Sequence, residues 1–372
     1  MKKYNIYYYH PLNLSFKSAQ TIQVVKDYFY LSRLGYNIKL FGNYDDINDM
    51  KEIEIFIKNS NLKIFYSKKS KFNKILNKIT FLYKILKDKN QKIIITRHYK
   101  KLKEITFFYF LLKKVNFCHE MHEESFAYFF SKSINKQKIK SLFKKVNFFI
   151  FTNQSQLEFY KKEFQNIPKN FVILYNGVEI EKFTNARFEK NFKITYLGQF
   201  NVWKNVELIF KSLCLLDKKY TLRIAGGKDD KQSYEYINGL IEKYNIDKKR
   251  INYLGYVKNA EVVKKVLDNS NVLLLPLGNN IQSKYLTSPM KLFEYMATNI
   301  PVVSIKYPSI TSIIKNNEIY LSDDNANSFA QNIEKASIYD NKKIKLMNIL
   351  SENFSYKKRS EKFDKYLQKE LL

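Results

Sequence analysis

The stretch "YLTSPMKLFEYMATNIPVVS", Tyr285 to Ser304, places hydroxyl, cationic and acidic groups at the start of a helical pattern. Ser288 is a good N-cap, and Pro289 suits the first helical position, where its missing N–H costs nothing. Asn299 suits the left-handed position that closes a helix. Just upstream, "VLLLPLG" is a continuous apolar run of the kind that forms a strand buried on both faces. The helix would then begin at the carboxyl end of a strand, where open α/β sheets receive anions. Backbone N–H groups around Thr287, Ser288 and Met290, with Lys291 beside them, would cradle phosphate oxygens, and Glu294 supplies an acceptor further along. As an ordinary surface group, Glu294 would instead pair with Lys291 or Lys284, worth roughly a few tenths of a kcal/mol.

A second segment, "YLGQFNVWKNVELIF", reads as a strand, a glycine turn at Gly198, and then Lys204 near the start of a helix. A fixed cation there would stabilise negative charge that develops on a bound group without any covalent nucleophile. "LRIAGG" ends on two adjacent glycines, Gly226 and Gly227, as a tight turn and close ligand approach require. The four histidines all lie in the first half. His10, His98 and His122 fall at or just beyond strand ends, where they could line one edge, whereas His119 would point into the core one pleat earlier. Arg97 adds a cation beside His98, and Glu120 and Glu123 flank His122 with carboxylates. Asp45-Asp46 and Asp323-Asp324 read as helix caps rather than metal ligands. Neither a Walker loop nor a G-x-G-x-x-G is present.

The elements that must hold these groups alternate. "NIYYYH", "NIKLFG", "IEIFI", "LKIFY", "KIIIT", "VNFCHEM", "NFFIFT" and "FVILY" read as strands in the first half. Helical spacing covers 18–34, 72–87, 102–114, 125–145 and 154–164. The second half repeats the rhythm with "KITYLG", "TLRIAGG", "INYLGYV", "VLLLPLG", "IPVVSI" and "EIYLS". Such alternation implies an α/β chain with two doubly wound parallel sheets facing across a cleft. The expected boundaries are a first domain over 1–175, a linker over 176–191, a second domain over 192–340 and a helical segment over 341–372 that packs back on the first domain.

A chain of 372 residues with 45% apolar residues suits two average domains with sizeable cores. Cys118 and Cys214 lie in apolar runs and read as buried thiols of a reducing compartment. The start lacks the apolar stretch of a signal peptide, and no run approaches the ~18 apolar residues of a membrane span. The net charge is +30, and it is uneven: residues 1–180 hold 33 basic against 14 acidic groups, and residues 61–116 hold 16 against 2. Codon bias accounts for abundant lysine but not for that unevenness. "KFNKILNKITFLYKILK" has the pattern of a basic amphipathic helix at an anionic membrane surface, or of a helix packed on its own sheet. No nucleic-acid module is recognisable, so nucleic acid is not an expected partner.

"YNGVEIEKF", "YLGQFNVWKNVELIF", "LRIAGG", "INYLGYVKNAEVVKKVLDNSNVLLLPL" and "SPMKLFEYMATNIPVVS" together resemble the donor half of glycosyltransferase family 4. The resemblance is dense from Phe171 to Ser304 and continues at "NFSYKKRSEKF". In the first half it rests on "SAQTIQVVKDYFYLSRLGYNIKLF" and "FCHEMHE". It implies a GT-B fold and retaining transfer of a sugar from a nucleotide diphosphate to a glycan or lipid-linked glycan acceptor, without a required metal or other cofactor. Lys204 would neutralise the diphosphate, Glu294 would bind the ribose hydroxyls, and His122 would face the reacting sugar. Gly198, Gln199, Gly226, Tyr256, Val257, Thr287, Ser288, Met290 and Lys291 would complete the donor site, with His10, Arg97 and His98 on the acceptor side. Two positions depart from the family pattern: Leu286 stands where relatives carry a sugar-binding glutamate, and Gln199 where they carry an arginine. The implied setting is bacterial surface polysaccharide assembly (capsule, lipooligosaccharide or O-antigen) in the cytoplasm, peripheral to the inner membrane. The alternatives are a GT-B sugar-nucleotide epimerase or hydrolase, and a non-catalytic basic membrane-binding protein.

Overall fold

The computed structural model describes residues 4–15, 19–58, 60–122, 136–164, 170–228 and 231–371. The chain forms two compact units, Met1–Gly177 with Tyr356–Leu372, and Val178–Ser355. In the first, the described strands are β1 (Asn5–Tyr8), β2 (Leu12–Asn13), β3 (Asn37–Tyr44), β4 (Leu62–Lys68), β5 (Lys92–Thr96), β6 (Val115–Glu120), β7 (Phe148–Phe151) and β8 (Phe171–Ile173). They form one parallel sheet in the order β4-β3-β1-β5-β6-β7-β8, with β2 alongside the end of β3. Alternate residues of β1 feed two cores, as the two-residue pleat requires. Ile6 and Tyr8 pack with Ile38, Ile93 and Cys118 on one face, and Tyr7 and Tyr9 with Phe41, Phe81 and Phe117 on the other.

Helices Ala19–Ser32, Ile47–Ile57, Lys71–Lys87, Tyr99–Phe107, Lys136–Phe143 and Gln154–Phe164 connect the strands. The closing helix Tyr356–Leu371 belongs to this unit: Phe363 and Leu367 enter its core, and Tyr36 Oη donates to Asp364 Oδ1 at 2.8 Å. The expected strand "IEIFI" is instead the end of helix Ile47–Ile57. Asp46 caps that helix by accepting from Asn48 N at 2.9 Å, and Met50 and Ile53 are its buried positions. The alternation of Ile53, Ile55 and Ile57 imitates a strand, yet Ile55 points outward with 74% exposure. Of the helix expected over 125–145, residues 136–145 fall within the described residues, and there the helix runs Lys136–Phe143; Glu123 lies outside the described residues.

The second unit contains β9 (Lys193–Gly198), β10 (Thr221–Gly226), β11 (Ile251–Tyr253), β12 (Val272–Leu275), β13 (Val302–Ile305) and β14 (Tyr320–Ser322), parallel in the order β11-β10-β9-β12-β13-β14. β12 and β13 are buried along their whole length, as their unbroken apolar runs require. The helix from the opening motif runs Met290–Met296, one residue later than the caps suggested. Pro289 occupies the N-cap without a side-chain bond. Its end is closed by Thr298, whose hydroxyl donates to Tyr295 O and accepts from Ile300 N. Asn299 is therefore not left-handed; its amide donates to Thr184 O instead. Cys118 is buried, but Cys214 is exposed on the outer side of its helix. Among the described residues, no helix is long and apolar enough to cross a membrane.

Candidate functional site

In the second unit the chain steps outward from β9 through β10 to β11, then returns to β12 on the other side of β9. The carboxyl ends of β9 and β12 flank this reversal, the place where open α/β sheets receive ligands. Hydrogen bonds tie the two loops: Gly278 N donates to Trp203 O at 3.0 Å, and Ser283 Oγ to the same carbonyl at 3.1 Å. Lys204, half-exposed, closes the short 3-10 turn Val202–Lys204, and Asn205 breaks that turn from the next helix by adopting φ 44°. Gly198 and Gly226 end neighbouring strands in register. Gly226 has φ +125°, and a Cβ there would run into the Gly198 carbonyl. The exposed Gln199 offers its carbonyl to Tyr196 Oη at 2.8 Å. Tyr256 and Val257 follow β11 beyond Gly255, whose carbonyl accepts from Gly226 N at 2.9 Å.

On the β12 side, Thr287 and Ser288 are buried, and Met290 and Lys291 are half-buried. Thr287 N already donates to Gln282 O at 3.0 Å, so this N–H is engaged within the protein rather than open to a phosphate oxygen as the sequence implied. Glu294 pairs with Lys291 at 2.6 Å across one helical turn. Leu286 is 1% exposed, so the position where relatives carry a glutamate is here part of the core.

In the first unit the reversal lies between β1 and β5. His10 follows β1, Arg97 and His98 follow β5, and His122 follows β6, so adjacent strands bring these four to one sheet edge. Tyr9 N donates to Ile95 O at 2.7 Å and joins the first two ends. His98 caps the helix Tyr99–Phe107, its Nδ1 accepting from Lys100 N at 3.1 Å. His119 is fully buried, with Nδ1 2.7 Å from Thr96 Oγ1.

Residues 178–357 match the model of the family glycosyl transferases group 1. An uncharacterized glycosyltransferase of Methanocaldococcus jannaschii is 23% identical over 295 residues, 69% of each chain. Two solved structures superimpose over nearly the whole length. Anabaena HepE in complex with UDP and glucose gives a TM-score of 0.69 at 12% identity, covering 98% of this chain and 100% of its own. The lipopolysaccharide outer core galactosyltransferase WaaB gives 0.69 at 15% identity, covering 98% and 99%. The fold is GT-B.

Beside His122, the first unit of this GT-B chain holds a buried charge network that the sequence reading had not assembled. His122 Nε2 lies 3.2 Å from Glu120 Oε1, and Arg359 Nη2 lies 3.2 Å from the same oxygen. Arg359 Nε donates to Tyr175 O at 2.9 Å and lies 3.3 Å from Asp27 Oδ1, which accepts no hydrogen bond among the described residues. Burial opposes ionisation of Glu120, yet His122, Arg359 and Arg97 hold its carboxyl well below the usual range. Burial pushes Asp27 up to about 7 despite Arg359. Burial also lowers His10 to about 3, helped by Arg97, His98, Lys101 and His122, and lowers His119 to about 3. Both imidazoles are therefore neutral near pH 7 and suited to hydrogen bonding rather than to carrying charge. The one sequence signal for Arg359 was an arginine among the lysines of "NFSYKKRSEKF".

Proposed function

We propose that the protein is a glycosyltransferase of the family 4 type, which moves a sugar from a nucleotide diphosphate to a hydroxyl of a glycan or lipid-linked glycan with retention of configuration. The observation that carries this reading is the match of residues 178–357 to glycosyl transferases group 1. The strand-order reversal at β9–β12 supports it, with Lys204 in the segment after β9 and the Lys291–Glu294 pair in the segment after β12. UDP is the first nucleotide to test, since HepE is bound to UDP.

In the proposed reaction the bond from the anomeric carbon to the diphosphate oxygen breaks. The acceptor oxygen bonds to that carbon on the same face, and the departing phosphate takes the acceptor's proton. Lys204 stabilises the developing negative charge, so no metal is required. Glu294 would exchange part of its ion pair for the ribose hydroxyls, His122 would face the sugar, and His10, Arg97 and His98 would receive the acceptor. With Leu286 in the core, the sugar lacks one carboxylate contact of the family pattern, which directs donor choice to the remaining polar groups.

The proposed setting is bacterial surface glycan assembly on the cytoplasmic face of the inner membrane. WaaB, a lipopolysaccharide enzyme, supports the first part. For the second, helix Lys71–Lys87 exposes the stripe Phe72, Ile75, Leu76, Ile79, Tyr83 and Leu86, while Phe81 and Ile85 face the core. A stripe of this kind flanked by lysines suits an anionic interface. The test is incubation with UDP-sugars and a membrane extract as acceptor, read by anomeric proton resonances. Transfer with the donor's configuration is expected. Release of free sugar or an epimer without acceptor would favour the epimerase or hydrolase alternative.

A further inference from the structure

Under that outward-facing stripe, the first unit has a pocket of about 380 Å³. The volume lies within the range of small-molecule sites. Its polar lining is dominated by Lys69, Lys74, Lys78 and Lys101, and its apolar lining by Leu12, Phe41 and Ile75. Two carboxylates offset part of the charge. Asp45 pairs with Lys69 at 2.8 Å, and Glu104 is shared by Lys78, by Lys101 at 2.9 Å and by Tyr9 Oη at 3.0 Å. Lys74 has no carboxylate partner among the described residues, so two of the four cations are left uncompensated. Ile75 lines the pocket and is also 58% exposed in the apolar stripe, so the cationic pocket and the apolar surface share one wall.

We propose that this pocket binds the phosphate of a phosphate-bearing amphiphile, held by Lys74, Lys78 and Lys101, with its hydrocarbon leaving over Ile75. Four ammonium groups around an apolar floor favour an anion attached to an alkyl chain over a neutral sugar or a free hydrocarbon. A point cation on a flexible stem suits a phosphate that must enter and leave. Pro11 in the lining follows His10, and Lys101 belongs to the helix that His98 caps, so the pocket adjoins the acceptor-side residues. Identifying the amphiphile as the acceptor rests on the glycosyltransferase reading; binding in the pocket does not.

The test is calorimetric titration of the full chain with dodecyl phosphate below its micelle concentration, beside inorganic phosphate and the neutral dodecyl maltoside. Dodecyl phosphate should bind at least tenfold more tightly than either. Lys74→Glu should weaken it at least tenfold, and Ile75→Asn severalfold. Lys87→Glu, the same charge reversal on the same helix but outside the pocket, should change it less than twofold. Equal losses for Lys74→Glu and Lys87→Glu would reduce the effect to net charge and overturn the proposal. Binding of inorganic phosphate or of the maltoside as tightly as dodecyl phosphate would also overturn it. Thermal midpoints of the three variants identify any that fail to fold. UDP titration of the same samples reads the donor site separately, so loss of one binding event leaves the other interpretable.

Discussion

Replacing Asp27 by asparagine should make the protein progressively more stable relative to the wild type as pH rises from mild acid to mild alkali. The Asp27 carboxyl is 5% exposed, lies 3.3 Å from Arg359 Nε and is pushed by burial from 3.8 up to about 7. A carboxyl whose folded pKa exceeds its unfolded value holds an extra proton in the folded state between those two values. Its contribution to stability is therefore lost as pH rises from about 4 to about 7. Taking ~1.36 kcal/mol per pH unit, the loss between pH 5 and pH 8 is about 2–3 kcal/mol. His10 and His119, lowered to about 3, act in the opposite sense: their contribution is present above their ordinary value and lost on acidification. Both are unchanged in the variant, so the difference between the two proteins isolates Asp27. Urea denaturation at pH 5, 6, 7 and 8 reads it directly. The gap between the two proteins should widen by ~2 kcal/mol or more between pH 5 and pH 8. Parallel curves, or a gap that moves in the wild type's favour as pH rises, would show that Asp27 is ionised and paired with Arg359 throughout.

Other consequences follow from the same geometry. Arg359→Met should cost about 3 kcal/mol in the same assay, the lower end for breaking a buried pair, because His122 and Arg97 still face Glu120. Gly226→Ala, at φ +125° against the Gly198 carbonyl, should destabilise the second unit by more than ~2 kcal/mol and weaken nucleotide binding, measured by denaturation and titration. Turnover should be unchanged in EDTA if Lys204 carries the leaving-group charge; a loss restored by Mg²⁺ would contradict that role.

The alternating α/β architecture was legible because buried parallel strands are continuous apolar runs, such as Val272–Leu275, and amphipathic helices separate them. The convergence of His10, Arg97, His98 and His122 was legible in part, since each follows a strand, but their adjacency depends on strand order, which spacing in the sequence does not encode. "IEIFI" failed because a short apolar alternation satisfies two periods, and the decisive cap at Asp46 lies seven residues earlier. Asn299 failed because Thr298 closes the helix through its hydroxyl. The Asp27–Glu120–Arg359 network was out of reach: its members come from three elements separated by most of the chain, and burial alone distinguishes Arg359 from the cations around it. The lysine pocket was hidden for a similar reason. Its lysines were visible as charge density, but their enclosure with Phe41 and Leu12 arises only from the packing of β2, β3 and two helices.

The measurement that bears most directly on the central claim is calorimetric titration with UDP, GDP, ADP and CMP, for the wild type and for Lys204→Ala and Glu294→Ala. One nucleoside diphosphate should bind, and each substitution should weaken it by about 1–3 kcal/mol, the value of a charged hydrogen bond. Binding of none of the four by a folded wild type, or equal binding by all three proteins, would contradict the donor site described here.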